Sequence, residues 1–574
     1  MKRLAIGVLS ALLAGCSGSG KDYSDATIYP AKVITMLGED SVAEAVVVQG
    51  DEIIGVGSFK TMQKDFRGAA VDRTFEDKVV LPGLIDPHIH VVLGAMLYGF
   101  PMAAPWPMAT PDGMKEGYGT PEAFRQAVAN IVAASPGDGP VVVYGYHNLV
   151  HGDLTRQVLD ELAPDRPLIV WHYSGHDFYL NSAAIDHAGF TPALAEKYHG
   201  VDLDPAGELT GRIYEDAAFL VLTAYHEVFL APEHLAAGFD AYRKILNRSG
   251  VTTTADLAYG VFGLRMEDQT IRATWQDMDH SGFRMYLIPE YRMLQKEFGD
   301  GRVKAVLDMY RGAIPTAAPV LPRVKFFTDG AYYSQTMRVS DPGYLSGQSA
   351  GTHGLWVIPP DELVPTIKPY WDAGLSVNIH SNGDAAQTAT LDALESLGTT
   401  SADNTFTIEH GGMFSPADVE RAGRLGAQLS AASHYVYYLA EAYAGPLGQP
   451  RARWISPLGA LTEAGVPVAL HSDAPLAPPI PLRAASVQVT RATREGDVYE
   501  AKMALSAYQA LEAITLDAAK VIGLDDELGS IAPGKKADFT ILGADPLETP
   551  AEAWETIPVW GVVLGGEKRP LDGG

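Results

Sequence analysis

Cysteine is almost absent from this chain. Its 574 residues contain one, Cys16. A single cysteine excludes an internal disulfide, because a disulfide needs two thiols. It also excludes a metal site built from several thiolates. The chemistry of this chain therefore has to rest on histidine, carboxylate, lysine and hydroxyl side chains.

Basic residues are also in deficit. The chain has 43 Lys and Arg against 70 Asp and Glu, which gives a formal net charge of −27. Phosphate binding needs clustered Lys and Arg, so this balance argues against nucleic acid as a partner. Hydrophobic residues make up 47% and charged residues 20%, which is typical of a globular protein with a sizeable core.

Long apolar runs are scarce, and the clearest one lies near the N-terminus. Lys2 and Arg3 precede the apolar residues 4–14, a run too short to span a bilayer as a helix. It leads into Leu13-Ala-Gly-Cys16, which resembles a bacterial lipobox, in which the cysteine is lipidated. We predict a lipoprotein signal peptide at 1–16, with Cys16 as the lipidation site. The alternative is an ordinary signal peptide that contains a cysteine.

The lipoprotein prediction also implies a cellular location. A lipid-anchored protein would lie in the cell envelope, facing the periplasm or the exterior. It would contact the membrane through its N-terminal anchor only, and a homodimer remains possible.

Short apolar runs alternate with helical patterns between about residues 81 and 524. Strands alternating with helices predict an α/β fold of the (β/α)8 TIM barrel type. The interval of about 95–248 is too long for one crossover, so we predict an insertion after the first barrel strand. Strand-like segments in 17–80 and 525–574 predict one composite β-sandwich built from both chain ends. The eight predicted barrel strands lie at 80–90, 250–257, 283–290, 323–329, 375–380, 405–410, 427–432 and 466–473.

Two histidines end the first of these runs, Val80-Leu-Pro-Gly-Leu-Ile-Asp-Pro-His88-Ile-His90. Residues two apart share a face of a strand, so His88 and His90 lie side by side. Two neutral imidazoles can each give one nitrogen to a divalent metal. The spacing alone is common, so the context has to support the assignment.

Other titratable residues fall at the ends of later predicted strands. His380 ends the fifth, His410 the sixth and Asp473 the eighth, whereas Lys325 lies inside the fourth. Active sites of such barrels lie at the C-terminal ends of the strands. Taken singly, each residue is better explained as a buried histidine, a capping aspartate or a snorkelling lysine. Together they predict an active site.

Several motifs resemble the amidohydrolase superfamily, in its family 3 branch that includes N-substituted formamide deformylase. The similarity runs from about Ala26 to the C-terminus. The motifs are PGLIDPHIH at 82–90, SGHDFYLNSAAI at 174–185, GELTGRIYE at 207–215, VKFFTDG at 324–330, IHSNGDAA at 379–386, IEH at 408–410, HSDAP at 471–475 and GSIAPGKKADFTIL at 529–542.

This resemblance implies a site with two divalent metals, expected to be two Zn²⁺ per chain. One metal would be held by His88, His90 and Asp473, and the other by His380 and His410. A carbamylated Lys325 would bridge them. A neutral lysine amine can add CO₂, and the anionic product offsets the charge of two metals.

The same resemblance implies that a metal-activated water hydrolyses a non-peptide, amide-type C–N bond of a small molecule. Asp473 would take the proton of the water and return it to the leaving nitrogen. Asp473 and Lys325 are therefore the predicted catalytic residues. The alternatives are a deaminase or a cyclic-amide or ester hydrolase on the same barrel, and a non-catalytic lipid-anchored binding protein.

The loop 331–336 departs from the family pattern. The family usually continues with small residues and an arginine, whereas this chain has Ala-Tyr-Tyr-Ser-Gln-Thr. We expect this loop to line the pocket, so the substrate class stays open. The predicted substrate-binding residues are His176, Tyr332 and His434, whereas His147 and His151 are predicted to be structural.

The lipid anchor is directly testable. Changing Cys16→Ser removes the thiol that would carry the lipid, so we expect the protein to leave the membrane fraction and its signal to stay unprocessed. Fractionation and mass spectrometry of the mature N-terminus measure both effects. Unchanged membrane attachment and unchanged processing would refute the lipoprotein prediction.

Overall fold

A computed structural model describes residues 23–275, 278–398, 400 and 404–571. Cys16 and the predicted signal segment lie outside the described residues. Across the described ranges, none of the helices is long and apolar enough to cross a membrane. The structure is a mixed α/β fold.

The described chain begins with five strands and one helix. They are Ala26–Ile34 (β1), Val42–Gln49 (β2), Glu52–Gly57 (β3), Phe59–Asp65 (α1), Ala70–Val71 (β4) and Val79–Pro82 (β5).

The next strand carries the two histidines of the first motif, and a long segment of mixed structure follows it. The strands are Leu84–Ile89 (β6), Met108–Thr110 (β7), Gly113–Lys115 (β8), Val141–Tyr146 (β9), Leu168–His172 (β10), Asp177–Leu180 (β11), Val201–Leu203 (β12) and Leu209–Tyr214 (β13). The α-helices are Val91–Tyr98 (α2), Pro121–Ala134 (α3), Asn148–His151 (α4), Arg156–Leu162 (α5), Ser182–Ala188 (α6), Ala218–Ala224 (α7), His226–Phe229 (α8) and Pro232–Arg248 (α9), with 3-10 turns at Pro192–Glu196 and Glu215–Ala217.

Strands and helices then alternate. The strands are Val251–Tyr259 (β14), Arg284–Pro289 (β15), Arg323–Phe327 (β16), Ser376–Ser381 (β17), Phe406–His410 (β18), Gln428–Ala432 (β19) and Val468–His471 (β20). The α-helices are Leu264–Thr274 (α10), Met278–Ser281 (α11), Tyr291–Phe298 (α12), Arg302–Tyr310 (α13), Pro360–Trp371 (α14), Asp384–Leu397 (α15), Pro416–Leu425 (α16), Tyr435–Leu439 (α17), Ala444–Leu447 (α18), Leu458–Glu463 (α19), Pro481–Thr490 (α20), Ala507–Glu512 (α21) and Leu516–Ile522 (α22). Short 3-10 turns lie at Gly299–Gly301, Arg451–Trp454 and Ala501–Met503.

The C-terminal segment returns to strands. They are Phe539–Leu542 (β21), Val559–Leu564 (β22) and Glu567–Pro570 (β23), with a 3-10 turn at Ala551–Thr556.

Each of the eight predicted barrel runs overlaps one strand of two parallel sheets, and the first run also includes most of β5. The sheet orders are β15–β14–β6 and β16–β17–β18–β19–β20. Isolated parallel bridges pair Ile89 of β6 with Ala474, which follows β20, and Glu290, which follows β15, with Lys325 of β16. The strands are buried along almost their whole length, as expected for parallel strands that are covered on both faces.

Strands from both chain ends share one mixed sheet. Its order is β23–β22–β21–β5–β1–β2–β3, and β4 pairs with β1. Gly83 connects this sheet to β6. A Cβ atom at this position would lie 2.0 Å from Thr252 Oγ1, so only glycine fits without a rearrangement. Arg284 of β15 also donates to Asp538 beside β21, over 2.5 Å and 3.1 Å. The sheet is thereby tied to the base of the parallel strands.

The segment between β6 and β14 contains a separate five-stranded sheet, in the order β12–β13–β11–β10–β9. Its strands β11 and β13 are antiparallel, with Asp177 opposite Tyr214. The pairing continues one step further, because Glu215 N donates to His176 O at 3.0 Å. His176 and Glu215 therefore sit together at one end of this sheet.

Candidate metal centre

The structure brings all six predicted ligands to the C-terminal end of the parallel strands. His88 lies in β6 and His90 directly follows it, while Lys325, His380 and His410 lie in β16, β17 and β18 and Asp473 follows β20. Parallel strands end at one edge, so side chains from five strands that are far apart in sequence meet there.

Asp473 is the common neighbour of three imidazoles. Its Oδ1 lies 3.0 Å from His90 Nε2 and 3.5 Å from His88 Nε2. Its Oδ2 lies 3.5 Å from His410 Nδ1. The carboxylate thus links the first, sixth and eighth of the predicted barrel strands.

Lys325 and His380 complete the group. Lys325 Nζ lies 3.4 Å from His88 Nε2. The ring of His380 lies 4.6 Å from that of His410, centre to centre. His380 Nε2 also lies 3.0 Å from the carbonyl oxygen of Gly330.

Two backbone positions at the site are unusual. His410 has a φ of 71° and Asp473 a φ of 55°, in the left-handed region that non-glycine residues seldom adopt. Such conformations persist when the surroundings fix them, and they cluster at functional sites. Asp473 N donates to His88 O at 3.1 Å, which holds one of the two in place.

Sequence reasoning missed a layer of polar residues beneath the ligands. Glu409 Oε2 lies 2.7 Å from His88 Nδ1, and Asn378 donates to Glu409 Oε1 at 2.6 Å. His471 Nε2 lies 3.2 Å from His410 Nδ1, and its Nδ1 lies 2.8 Å from Ser430 Oγ. The motifs IEH and HSDAP contain Glu409 and His471, so their position beside predicted ligands was the available signal.

The ligand atoms converge in two overlapping groups. Within the described part of the chain, the atoms of His88, His90 and Asp473 lie within 4.8 Å of one another, and so do those of His88, His410 and His471. The first group matches the predicted ligands of one metal. The second contains His471, which was not predicted, and lacks His380.

Burial keeps the histidines neutral. It lowers the pKa of His88 and of His410 well below the usual value, with further lowering of the His88 pKa by Lys325. It also lowers the pKa values of His380 and His471 to about 3. Neutral imidazoles have a free lone pair, which is the form that binds metal.

The pKa values of Asp473 and Lys325 are also shifted, in directions that suit a metal site. Burial acts to raise the pKa of Asp473, but His410 and His90 lower it well below its usual range, so the carboxylate is ionised. Burial lowers the pKa of Lys325 to about 8, although Glu409 and Asp473 act in the opposite direction. A lysine with this pKa has a substantial neutral fraction near neutral pH.

These residues fit a divalent metal. Asp473 Oδ1 and His90 Nδ1 are buried and make no hydrogen bond in the described structure, although imidazole nitrogens lie within 3.5 Å of that oxygen. Buried polar atoms are normally satisfied, so an unpartnered carboxylate oxygen beside two imidazole nitrogens indicates a cation. Glu409 at His88 Nδ1 leaves Nε2 for the metal, a common arrangement around metal-bound histidine.

A cavity of about 110 Å³ lies over this group. Its remaining wall is mostly aromatic and aliphatic, with a contribution from the five-stranded sheet. The wall residues are Leu93, Ser174, Gly175, His176, Phe327, Ala331, Tyr332, Tyr333, Asn382, Tyr435 and Leu476. The loop that departs from the family pattern thus lines the pocket, as expected. A larger cleft of about 990 Å³ adjoins the cavity and shares His90, Leu93, Gly175, His176 and Phe327 with it.

Two of the three predicted substrate-binding residues border this cavity. Tyr332 stacks on Tyr435 at 4.3 Å, and its buried hydroxyl has no hydrogen-bond partner in the described structure. His176 borders both the cavity and the larger cleft. His434 is buried and is not among the residues that line the cavity.

The pair predicted to be structural lies away from the cavity wall. His151 Nε2 lies 2.7 Å from Tyr118 O, and its Nδ1 accepts a hydrogen bond from His147 N at 3.2 Å. His147 is buried against the rings of Trp106 and His172. These contacts are those of core residues.

Comparisons with known proteins agree with this geometry. The chain is 29% identical to the protein LONG AFTER FAR-RED 3 of Arabidopsis thaliana, over 88% of this chain and 84% of that protein. It is 27% identical to an N-substituted formamide deformylase of Arthrobacter pascens, over 91% and 94%. It is 25% identical to the putative amidohydrolase YtcJ of Bacillus subtilis, over 93% and 97%.

Among solved structures, the fold is similar to an uncharacterized metal-dependent hydrolase from Pyrococcus horikoshii. The TM-score is 0.69 at 21% identity, covering 92% of this chain and 99% of that one. The amidohydrolase family itself matches residues 75–568. This match covers most of the chain, which therefore belongs to the amidohydrolase family and is a hydrolase with a site suited to a divalent metal.

Proposed function

We propose that this protein hydrolyses a non-peptide, amide-type C–N bond of a small molecule. The observation that carries the proposal is the convergence of neutral imidazoles and an ionised Asp473 at the floor of one cavity. The similarity to an N-substituted formamide deformylase supports the same bond type.

The six ligand positions support two metals, which we propose to be zinc. His88, His90 and Asp473 would hold one, and His380 and His410 the other. A carbamylated Lys325 would bridge them, and its partly neutral amine is the form that adds CO₂. When bound, the metals supply Lewis acidity, which activates water and polarises the scissile carbonyl.

Asp473 is the proposed proton shuttle. Its carboxylate is held ionised, so it accepts a proton from the attacking water. It then returns that proton to the leaving nitrogen, which departs as a neutral amine. Tyr332 and His176 border the space for the substrate, and His434, the third proposed substrate-binding residue, directly precedes Tyr435 of the cavity wall.

We also propose a domain organisation for the chain. The edge bridges support closure of the eight parallel strands into one barrel, and the mixed sheet supports a β-sandwich from 17–80 and 525–574. The barrel would span 81–524, with an insertion at about 95–248.

We further propose a lipid anchor at Cys16, an envelope location facing the periplasm or exterior, and a possible homodimer.

Turnover of an amide tests the function. The zinc-loaded protein should hydrolyse members of a panel of N-acyl amines, N-formyl amines, N-acyl amino acids, lactams and esters. Asp473→Asn should lower turnover by about a hundredfold or more, because neutral asparagine cannot accept the proton. Asp372→Asn, at a surface ion pair with Lys368, is the control and should match the parent. Turnover of Asp473→Asn within about threefold of the parent would remove this residue from the mechanism.

Metal content tests the ligand assignment. We expect about two divalent ions per chain in the parent and fewer in His88→Ala and His380→Ala, because each loses one lone pair directed at the site. His353→Ala, which changes a histidine paired with Asp341 outside the site, should retain the parent content. Elemental analysis after dialysis gives the numbers. Unchanged content in both ligand variants would contradict the assignment.

The carbamate on Lys325 is tested by structure and rescue. Lys325→Ala should lose most activity, and short carboxylates added with metal should restore part of it by replacing the bridge. A crystal grown with bicarbonate and metal should show density beyond Nζ of the parent lysine. Density that stops at a bare amine would refute the bridge and favour one metal.

A further inference from the structure

His176 is the one titratable side chain of the five-stranded sheet that borders the metal-site cavity. Lys325, His380 and Asp473 line the same cavity. The His176 side chain is 34% exposed, and it also borders the larger cleft. It therefore lies where the cavity adjoins the cleft, in the same cavity as the groups that the proposed reaction uses.

A buried carboxylate holds one edge of this ring. His176 Nδ1 lies 3.0 Å from Glu215 Oε2, and Thr336 Oγ1 donates to Glu215 Oε1 at 2.7 Å. The backbones of the two residues are also joined, by the hydrogen bond from Glu215 N to His176 O. Glu215 has a φ of 46°, a left-handed conformation that its two side-chain contacts and this backbone contact help to fix.

The contact between Glu215 and His176 Nδ1 determines whether Nε2 of His176 carries a proton. Glu215 is ionised, since His176 and Thr336 lower its pKa to about 2 although burial acts to raise it. A carboxylate at Nδ1 requires a proton on Nδ1. Nε2 then carries a proton only when the ring is an imidazolium, and in the neutral ring it is an acceptor.

The surroundings favour the imidazolium. Burial acts to lower the pKa of His176, but Glu215, Asp177 and Asp473 raise it above its ordinary value. The cationic side chains on the same pocket walls include Arg212, which is paired with Asp177 at 2.6 Å, and Lys325, whereas the neighbouring His172 and His380 are held neutral by burial.

We propose that the His176 imidazolium donates a hydrogen bond from Nε2 to the oxygen of the scissile carbonyl group and stabilises the negative charge that develops there. This role rests on the proposed amide hydrolysis. A donor already fixed opposite the reacting carbon needs no rearrangement as the charge forms. Glu215 and Thr336 are positioning residues, because they act on the substrate only through His176.

Steady-state kinetics separate this role from simple substrate binding. His176→Ala should lower kcat by about 10² to 10³ fold, the usual loss for one such donor, with KM within about threefold of the parent. A contact made only in the transition state changes kcat, whereas a contact made equally in the ground state changes KM. A KM increase with kcat unchanged, or kcat within threefold of the parent, would overturn the proposal.

The pH dependence of kcat shows whether His176 acts in its protonated or its neutral form. The donor is the protonated ring, so kcat should fall as pH rises through the pKa of His176. Glu215→Gln removes the charge that raises this pKa, so the fall should begin at lower pH, with rates similar to the parent at still lower pH. A rate that increases as His176 loses its proton would make the residue a base and would overturn the proposal.

A measurement independent of turnover reads the same ion pair. Hydrogen–deuterium exchange at imidazole C2, followed by mass spectrometry, reports the pKa of an individual histidine. In the metal-loaded protein, the pKa of His176 should be higher in the parent than in Glu215→Gln, because the Glu215 carboxylate raises it. An equal pKa in the parent and this variant would show that Glu215 does not hold the proton, and would overturn the proposal.

The chain offers a matched control pair. His353 Nε2 lies 2.9 Å from Asp341 Oδ1, and its side chain is 35% exposed, but it does not border the cavity. His353→Ala and Asp341→Asn should keep the kcat and pH profile of the parent. A parent that hydrolyses no amide of the panel refutes the proposed function and this role with it. An active parent with an equally active His176→Ala variant refutes this role alone.

Discussion

The structure depends most on one constraint, the removal of imidazoles from water at the ends of parallel strands. Buried imidazole cannot easily carry charge, so His88 and His410 stay neutral and direct lone pairs at a shared point. A carboxylate in the same place would be costly to bury without partners. Asp473 lies among three imidazole nitrogens, at 3.0 Å and 3.5 Å, and a bound divalent cation would offset its negative charge.

The fold stabilises this concentration of buried polar groups. The ligands come from separate strands, so each is anchored by its own backbone ladder and cannot move to relieve a poor contact. Glu409 and Asn378 form a hydrogen-bonded layer below them. Such a network stabilises a buried site only when its members are satisfied. Asp473 Oδ1 makes no hydrogen bond in the described structure, and a metal bound at the floor of the cavity would provide the missing partner.

Much of this site could be predicted from the sequence, because the relevant rules are local. Period-two alternation places His88 and His90 on one face, and strand ends in parallel sheets coincide in space. The predicted runs contain the observed strands for the same reason: continuous apolar segments are typical of doubly covered parallel strands. Glu409 could not be predicted in this way, because neighbouring residues of a strand normally face opposite sides. The left-handed backbone at His410 lets Glu409 and His410 both reach the site.

The part that could not be predicted depends on pairing between distant segments. Nothing in the motifs SGHDFYLNSAAI and GELTGRIYE states that β11 and β13 are antiparallel neighbours, or in which register. That register alone brings His176 next to Glu215, 39 residues later in the chain. The two parts of the molecule therefore contribute differently to the site. The parallel strands supply neutral nitrogens and an ionised carboxylate at its floor, whereas the separate sheet supplies a histidine whose charge is kept by an ion pair. Metal ions bound at the floor and the His176 imidazolium would together stabilise negative charge that develops between them, which neither sheet achieves alone.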